Sequence, residues 1–276
     1  MIDELKKAYP ITTLCAAMDY PRSSYYASRR MEADAGAEEL VLTRVRAIHQ
    51  RTRGSYGSRR MSVELARQGL RIGRHKARSL MRRAGVEVVR VRRSHRYGAA
   101  VGGVVPNRLE RQFKVARPNR VWVSDITSVA TGQGWVHLAI VVDLFARRIV
   151  GWAIAPHATT TLVLKALEMA VQTRHPGQGL MFHSDQGSQY TSSHLAQRLQ
   201  ALRIVQSMSR RGNCWDNAVA ERVFAALKTE WLRSTYASRS DATADITTFV
   251  TTYYNHYRLH SAIGQTPPAL YEALAA

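Results

Sequence analysis

The sequence has few of the features that mark secreted, disulfide-stabilised or membrane proteins. Its two cysteines, Cys15 and Cys214, are far apart and form neither a disulfide framework nor a zinc motif. No apolar run approaches the roughly 18 residues that a membrane span needs, and the start MIDELKKAYP contains no apolar signal segment. We therefore expect a soluble, non-secreted protein of the cytoplasm, with no membrane partner.

Acidic residues are also scarce, because 20 Asp and Glu stand against 40 Lys and Arg, a formal net charge of +20. The excess is concentrated in residues 44–120, which hold 22 of the basic residues and three of the acidic ones. An ordinary solvated surface is the alternative, but soluble surfaces usually intersperse the two signs. A polyanionic partner explains the pattern better, since each neutralised phosphate releases counterions. The charge therefore favours binding to nucleic acid.

The N-terminal third has the pattern of several short helices. Residues 11–26 predict two of them around a break at Pro21, with Ser23 or Ser24 as the cap of the second. A separate helix is expected over residues 38–50. Its inward face is predicted to consist of Leu40, Val41, Val45 and Ile48.

A strongly basic helix is predicted over residues 74–84, after a helix that ends at Gly69. Its apolar residues Ala77, Leu80, Met81 and Ala84 are expected to face inward, opposite Arg74, His75, Arg78, Arg82 and Arg83. Short helices that end in a basic one are the layout of helix-turn-helix DNA readers; a small helical bundle with a basic face is the alternative. We assign residues 1–93 to a helix-turn-helix DNA-binding region, with the candidate DNA contacts Arg74, Arg78 and Arg82.

Residues 94–118 lack periodicity and are rich in Arg, Gly and Pro, which predicts a basic linker along the phosphate backbone. From residue 121 onward, the expected fold class is α/β. Strands are predicted over 121–126, 135–142, 149–154, 180–183 and 204–206, and helices over 160–173 and 192–202. A three-stranded meander followed by alternating helices and strands indicates a mixed sheet covered on both faces. We assign this α/β domain, with its C-terminal helices, to residues 119–276.

Three acids stand out in a chain with few of them. Asp125 and Asp185 each follow an apolar run, and Glu221 lies in a helical pattern 35 residues after Asp185. Two strand-end aspartates and a helix glutamate can converge beside one sheet and hold two divalent cations for phosphodiester chemistry. Taken singly, each has an ordinary alternative: a turn, a helix cap or an exposed charge. Asp143, at the end of its own strand, is a fourth candidate for which a turn role is expected.

The helix that contains Glu221 is predicted to run from a cap at Asp216 or Asn217 to about Trp231. Lys228 follows Glu221 by seven residues, or two helical turns, so both are expected on one side of the helix, about 10 Å apart. A carboxylate for metal and a cation for phosphate would suit an active-site helix. The preceding polar loop contains Arg210 and Arg211, which we predict to contact DNA.

Several motifs together are similar to a known family: WVSDIT, VVDLFARRIVGW, HSDQGSQYTS, SRRGNCWDNAVAERVFAALKTE and YYNHYRLHSAIGQTP. They closely resemble the integrase-like transposases of the IS-three group of bacterial insertion sequences, over essentially the whole chain. The resemblance implies a ribonuclease-H-like core of the DDE class preceded by helix-turn-helix modules. It also implies that Asp125, Asp185 and Glu221 bind metal, and that Lys228 contacts DNA near the scissile end.

The resemblance further implies a reaction and its partners. The reaction would be two-metal cleavage and joining of double-stranded DNA, at element ends and at a target. Oxygen ligands favour Mg²⁺, with Mn²⁺ as a substitute. The expected partners also include further copies of the chain on DNA and an upstream-frame protein with a helix-turn-helix and leucine zipper, all at the bacterial nucleoid.

Two other functions remain open from the residues. A ribonuclease-H-like nuclease would use the same acids but would need no helix-turn-helix region. A non-catalytic DNA-binding regulator would retain the basic region on an inactive core. Strand joining separates the transposase from the first, and metal-dependent activity separates it from the second.

Overall fold

The chain divides into two units, Met1–Val88 and Val89–Ala276, in a computed structural model that describes residues 2–89, 105–210, 214–232 and 235–275. The boundary predicted between residues 93 and 94, and most of the predicted linker's first half, lie outside the described residues. The proposed divisions at 93 and 118 therefore stay predictions.

The first unit is helical, as its sequence pattern indicates. Its helices are α1 (Ile2–Leu5), α2 (Ile11–Ala17), α3 (Arg22–Arg51), α4 (Ser58–Arg67) and α5 (Arg74–Arg83). The core between α3, α4 and α5 is apolar and buried: Leu42, Val45, Ile48, Met61, Leu65, Ala77, Leu80 and Met81. The inward face predicted for the basic helix α5 is therefore confirmed.

Helix α3 differs from the prediction in its length and in its buried face. The two helices expected on either side of residues 27–37 are one continuous helix of 30 residues that begins directly after Pro21, with no side-chain cap. The segment between them is rich in Ala and contains Arg, Met and Glu, which favour a helix, and Gly36 alone costs only about 1 kcal/mol. Leu40 was wrongly placed inward, because it is exposed while Leu42 is buried.

Within the described part of the second unit, a five-stranded sheet has the strand order β3-β2-β1-β4-β5. The strands are β1 (Val121–Thr131), β2 (Gly134–Asp143), β3 (Arg148–Ala155), β4 (Met181–Ser184) and β5 (Val205–Met208). The first three form an antiparallel meander, whereas β4 lies parallel to both β1 and β5. The mixed five-stranded sheet predicted from the sequence is confirmed.

Helices cover both faces of this sheet. Because side chains alternate along each strand, neighbouring residues of a strand face opposite cores. Trp122 and Val141 face a core formed with α6 (Thr160–Arg174) and α7 (Ser193–Ala201). Val123 and Ile140 face the opposite core, formed with α8 (Ala218–Ala226) and α9 (Arg239–Thr248). A last helix, α10 (Pro268–Leu274), follows. No helix in the described ranges is long and apolar enough to cross a membrane.

Two short π-helical turns extend α8 and α9 and pack against each other. They cover Leu227–Trp231 and Phe249–Tyr254, and Trp231 stacks on Tyr253 with ring centroids 4.7 Å apart. Short 3₁₀ turns lie at Cys214–Asn217 and Ser261–Ile263. The helix predicted to continue regularly to Trp231 therefore changes its winding at Leu227, after Glu221 and before Lys228.

Candidate active site

The register of the sheet brings the two candidate aspartates to neighbouring positions. Val123 on β1 pairs with His183 on the parallel strand β4, and Asp125 and Asp185 each follow two residues later. Both carboxylates are fixed locally. Asp125 Oδ1 accepts a hydrogen bond from the N–H of Ile126 at 2.7 Å, and Asp185 Oδ1 accepts one from the N–H of Gly187 at 3.0 Å.

Glu221 and Lys228 act electrostatically on the first of these carboxylates. Glu221 lies in the first turn of α8, which packs against β1, and Lys228 lies in the π-helical turn that follows. Burial raises the pKa of Asp125 well above its usual value, and the negative charges of Asp185 and Glu221 raise it further. Lys228 opposes them and lowers the pKa of Asp125. The structure thus brings all four predicted charges into one electrostatic neighbourhood.

The start of α8 corrects a predicted helix cap. Asn217 occupies the residue before the helix, but its side chain does not cap it. Instead, Asn217 Nδ2 donates a hydrogen bond to the backbone oxygen of Ser124 at 3.1 Å. Because Ser124 precedes Asp125, this bond ties the helix of the glutamate to the strand of the first aspartate.

A buried tyrosine completes this contact and was missed in the sequence. Tyr190 shares a hydrogen bond of 2.9 Å with the hydroxyl of Ser124. Burial raises the pKa of Tyr190 well above its usual value, and the charges of Asp125 and Asp185 raise it further, so it is a neutral phenol at physiological pH. In the sequence, only polar residues and one glycine lie between Phe182 and Tyr190. Tyr190 therefore belongs to no periodic apolar pattern by which it could have been found.

Asp216, the other predicted cap, is fully buried and binds two arginines instead. Its carboxylate accepts hydrogen bonds from Arg111 Nε at 2.9 Å, from Arg210 Nε at 3.1 Å and from Asn107 Nδ2 at 2.8 Å. Arg210, a predicted DNA contact, is exposed and forms an ion pair with Asp216. Arg211 lies outside the described residues.

His183 lies beneath the site as a neutral, buried residue. Burial lowers its pKa to about 4, despite an opposing effect of Asp216. Its Nδ1 lies 2.9 Å from Ser207 Oγ, and its Nε2 lies 3.2 Å from Ser209 Oγ. These contacts link β4 to the end of β5, so His183 supports the strand that leads to Asp185.

Asp143 does not join the other acids. Its fully buried carboxylate accepts hydrogen bonds from the backbone N–H of Asn119 at 2.7 Å and of Phe145 at 2.9 Å. Arg174 lies 3.8 Å from the same group. These contacts support the turn role expected for Asp143.

The three arginines predicted to contact DNA from the first unit lie on α5 and are exposed: Arg74, Arg78 and Arg82. The core residues of α5 are on the other side of the helix. This arrangement leaves the basic face of α5 accessible to a polyanion.

The donors of the candidate site suit a hard cation, although their present spacing does not enclose one. Within the described ranges, no group of three or more His, Cys, Asp or Glu side chains is close enough to hold a metal ion. Carboxylate oxygens are nevertheless the ligands that Mg²⁺ prefers. The mutual repulsion that raises the pKa of Asp125 is the effect that a bound cation would relieve.

Family models and relatives cover nearly the whole chain. Integrase core domain models match residues 115–214 and 202–268, and an HTH-like domain model matches residues 36–95. The insertion element IS600 31 kDa protein of Shigella sonnei is 34% identical, over 94% of this chain and 97% of that protein. The transposase for insertion sequence element IS629 of Shigella sonnei is 33% identical, over 98% and 93%.

The chain belongs to the insertion-sequence transposase family. The resemblance noted in its motifs is thereby confirmed, and so are the integrase core and the helix-turn-helix-like region. Among solved structures, the magnesium complex of the HTLV-2 integrase catalytic core domain is similar, with a TM-score of 0.41 and 14% identity. That similarity covers 56% of this chain and 97% of the viral domain.

Proposed function

We propose that this member of the transposase family cuts and joins double-stranded DNA at a DDE-type site formed by Asp125, Asp185 and Glu221. The observation that supports it most is the joint action of Asp185, Glu221 and Lys228 on the pKa of Asp125. Under this proposal, three carboxylates and one lysine from β1, the end of β4, α8 and the following turn form one site.

The proposal includes two Mg²⁺ ions, with Mn²⁺ as a substitute, held by the three carboxylates. When bound, the cations would supply the activation of a water or a DNA 3′-OH and the stabilisation of the leaving oxygen. The donor set fits this role because all three ligands offer hard oxygens.

The chain's own residues would hold the reacting groups in place. The N–H of Ile126 and the N–H of Gly187 each orient one carboxylate and leave its second oxygen for a cation. Asn217 holds α8, and with it Glu221, against β1. Lys228 would bind a phosphate of the DNA end, where its compact charge offsets the negative charge of the backbone.

The rest of the chain would deliver DNA to this site. We propose that residues 1–93 bind the element ends through the exposed arginines of α5, that residues 94–118 follow the phosphate backbone, and that residues 119–276 catalyse the reaction. Several copies of the chain on DNA, and an upstream-frame partner with a leucine zipper, belong to the same proposal. So does a cytoplasmic location at the nucleoid.

A strand-transfer assay with the element's own ends tests the proposal. Asp125→Ala, Asp185→Ala and Glu221→Ala should each abolish Mg²⁺-dependent cleavage and joining, because each removes a cation ligand. DNA binding should stay largely intact, since the affinity comes from the basic part of the chain. Asp143→Asn is the control: it should lower the melting temperature but have little effect on the rate of strand transfer.

Other outcomes would assign a different function. Near-normal strand transfer by any one of the alanine variants would mean that the triad is wrong. Cutting of an RNA–DNA hybrid without joining would identify a nuclease. DNA binding with no metal-dependent activity in the wild type would identify a regulator.

A further inference from the structure

Asp216 joins two arginines that are far apart in the sequence. Arg111 lies ten residues before β1, and Arg210 lies two residues after β5. Asp216 lies two residues before α8. Arg111 donates from Nε to Asp216 Oδ1 at 2.9 Å. Arg210 donates from Nε to Oδ2 at 3.1 Å and from Nη2 to Oδ1 at 3.2 Å.

Among these three side chains, one carboxylate faces two guanidinium groups, which leaves one positive charge in excess. Glu110, beside Arg111, is exposed and also acts electrostatically on Arg210, so it reduces the positive charge around the cluster. Burial alone would raise the pKa of Asp216, but the hydrogen bonds from Arg210 and Arg111 lower it below its usual range. The carboxylate is inaccessible, while the Arg111 and Arg210 side chains are 45% and 61% exposed. A polyanion that approaches the cluster therefore meets the guanidinium groups and not the carboxylate.

The cluster lies at the same edge of the sheet as the candidate site. Ser209, beside Arg210, donates its backbone N–H to the oxygen of Ser184, which precedes Asp185. On the other side, Asn217, beside Asp216, binds the backbone oxygen of Ser124, which precedes Asp125. Both flanks of the cluster are thus hydrogen-bonded to the residues before the two aspartates.

We propose that Asp216 is a positioning residue that orients Arg111 and Arg210 to bind a backbone phosphate of DNA beside the active site; this proposal rests on the proposed function. Arg210 uses two of its five N–H groups on Asp216, and the others suit a phosphate. Because the carboxylate already fixes the guanidinium, less side-chain entropy is lost when phosphate binds.

The alternative is an ordinary surface ion pair, and the chain offers a matched example of one. Arg198 on α7 forms two hydrogen bonds with Glu168 on α6, at 2.5 and 2.9 Å. Its side chain is 40% exposed, which is close to that of Arg111. This pair differs in that it has one arginine, no excess charge and a partly exposed carboxylate.

Binding of the full-length chain to a DNA duplex of arbitrary sequence, without divalent cations, tests the proposal. Fluorescence anisotropy over a salt series gives the slope of log K against log salt concentration. Arg111→Ala and Arg210→Ala should each make the slope shallower, by up to roughly 0.9, the value for the one phosphate contact that the two arginines share. Arg198→Ala removes the same charge elsewhere and should leave the slope unchanged.

Asp216→Asn separates orientation from charge. If charge alone matters, removing the negative charge of Asp216 should strengthen DNA binding. Glu168→Asn, which removes the carboxylate of the control pair, should strengthen binding slightly or not at all. Under the proposal, Asp216→Asn instead weakens binding and makes the slope shallower, because the two guanidinium groups lose their fixed geometry. Tighter binding by Asp216→Asn would overturn the positioning role.

The exposed arginines keep the proposal testable if Asp216→Asn does not fold. Slopes equal to the wild type for both Arg111→Ala and Arg210→Ala, with unchanged thermal unfolding, would overturn it. Neither measurement needs catalysis. If the arginine variants have the wild-type slope while the wild type carries out strand transfer, only this inference is refuted. If the variants have shallower slopes while the wild type carries out no strand transfer, only the proposed reaction is refuted.

Discussion

A largely buried ion pair next to Lys228 allows a quantitative test of how the turn that contains this lysine is held. Arg258 donates to Glu230 from Nε at 2.9 Å and from Nη2 at 2.8 Å, and the two side chains are only 11% and 17% exposed. Burial opposes the charge on Arg258, but Glu230 raises its pKa above the usual range. Because Glu230 and Lys228 share the π-helical turn Leu227–Trp231, the pair fixes the turn that presents the lysine.

Arg258→Ala should destabilise the second unit strongly. Removing one partner of a buried pair costs about 3–5 kcal/mol, and the lower end applies because neither side chain is fully buried. For a unit of this size, about 3 kcal/mol lowers the melting temperature by roughly 6–12 °C. Replacing both partners, in Glu230→Met with Arg258→Met, should recover much of that loss because no unpaired charge is left.

Arg198→Ala is the matched control, since it also breaks a two-bond pair with a glutamate, but at a site where both side chains are more than a third exposed. Its cost should stay below about 1 kcal/mol. Tryptophan fluorescence during thermal unfolding is the appropriate assay, because residues 1–88 contain no tryptophan and the signal reports the second unit alone. Equal losses for Arg258→Ala and Arg198→Ala would refute the argument from burial.

Three further predictions concern the acids, the lysine and the DNA-binding region. Since the pKa of Asp125 is raised, the folded metal-free protein loses stability as pH rises through that pKa; Asp125→Asn should therefore melt higher than the wild type at neutral pH, with the gap closing below about pH 4. An equal gap at both pH values would contradict this sign. Lys228→Ala should slow joining of a pre-cut DNA end with Lys228→Arg rescuing it incompletely, and equal single-turnover rates in all three proteins would place the lysine outside the site. Finally, residues 1–93 alone should bind duplex DNA, with a salt slope that becomes shallower by roughly one unit per lost contact on alanine substitution of Arg74, Arg78 and Arg82; a folded fragment without DNA affinity at low salt would contradict it.

The sheet was predictable because its strands are short apolar runs separated by turn residues. Gly132 and Gly134 lie at the β1–β2 turn, and β4 begins after the glycine-containing stretch at residues 175–180. The inward face of α5 followed from helical periodicity in the same way. The helix that contains Glu221 follows the same periodicity, because its apolar residues Val223, Phe224, Leu227 and Trp231 are all buried.

Contacts between residues far apart in the sequence could not be predicted. Asp216 and Asn217 have the residue types of helix caps, and nothing local indicates that one binds Arg111 and the other binds the backbone of Ser124. The continuous helix α3, in contrast, could have been predicted from local sequence. The residues between the two predicted helices are mostly strong helix formers, so the two predicted helices are parts of one helix. The π-helical turn that begins at Leu227 likewise packs against the second π-turn through Trp231 and Tyr253, a contact between separate segments of the sequence.

The position of Asp125 on the central strand has a consequence for hydrogen exchange. Strand β1 pairs with β2 over ten positions and with β4 on its other side, so its amides exchange only through opening of the whole sheet. Glu221 lies instead on a helix of nine residues that covers one face of the sheet, and such a helix can open locally at a smaller free-energy cost. We therefore expect the amides of α8 to exchange with solvent faster than those of β1. Such opening would displace Glu221 while the strand that contains Asp125 stays closed.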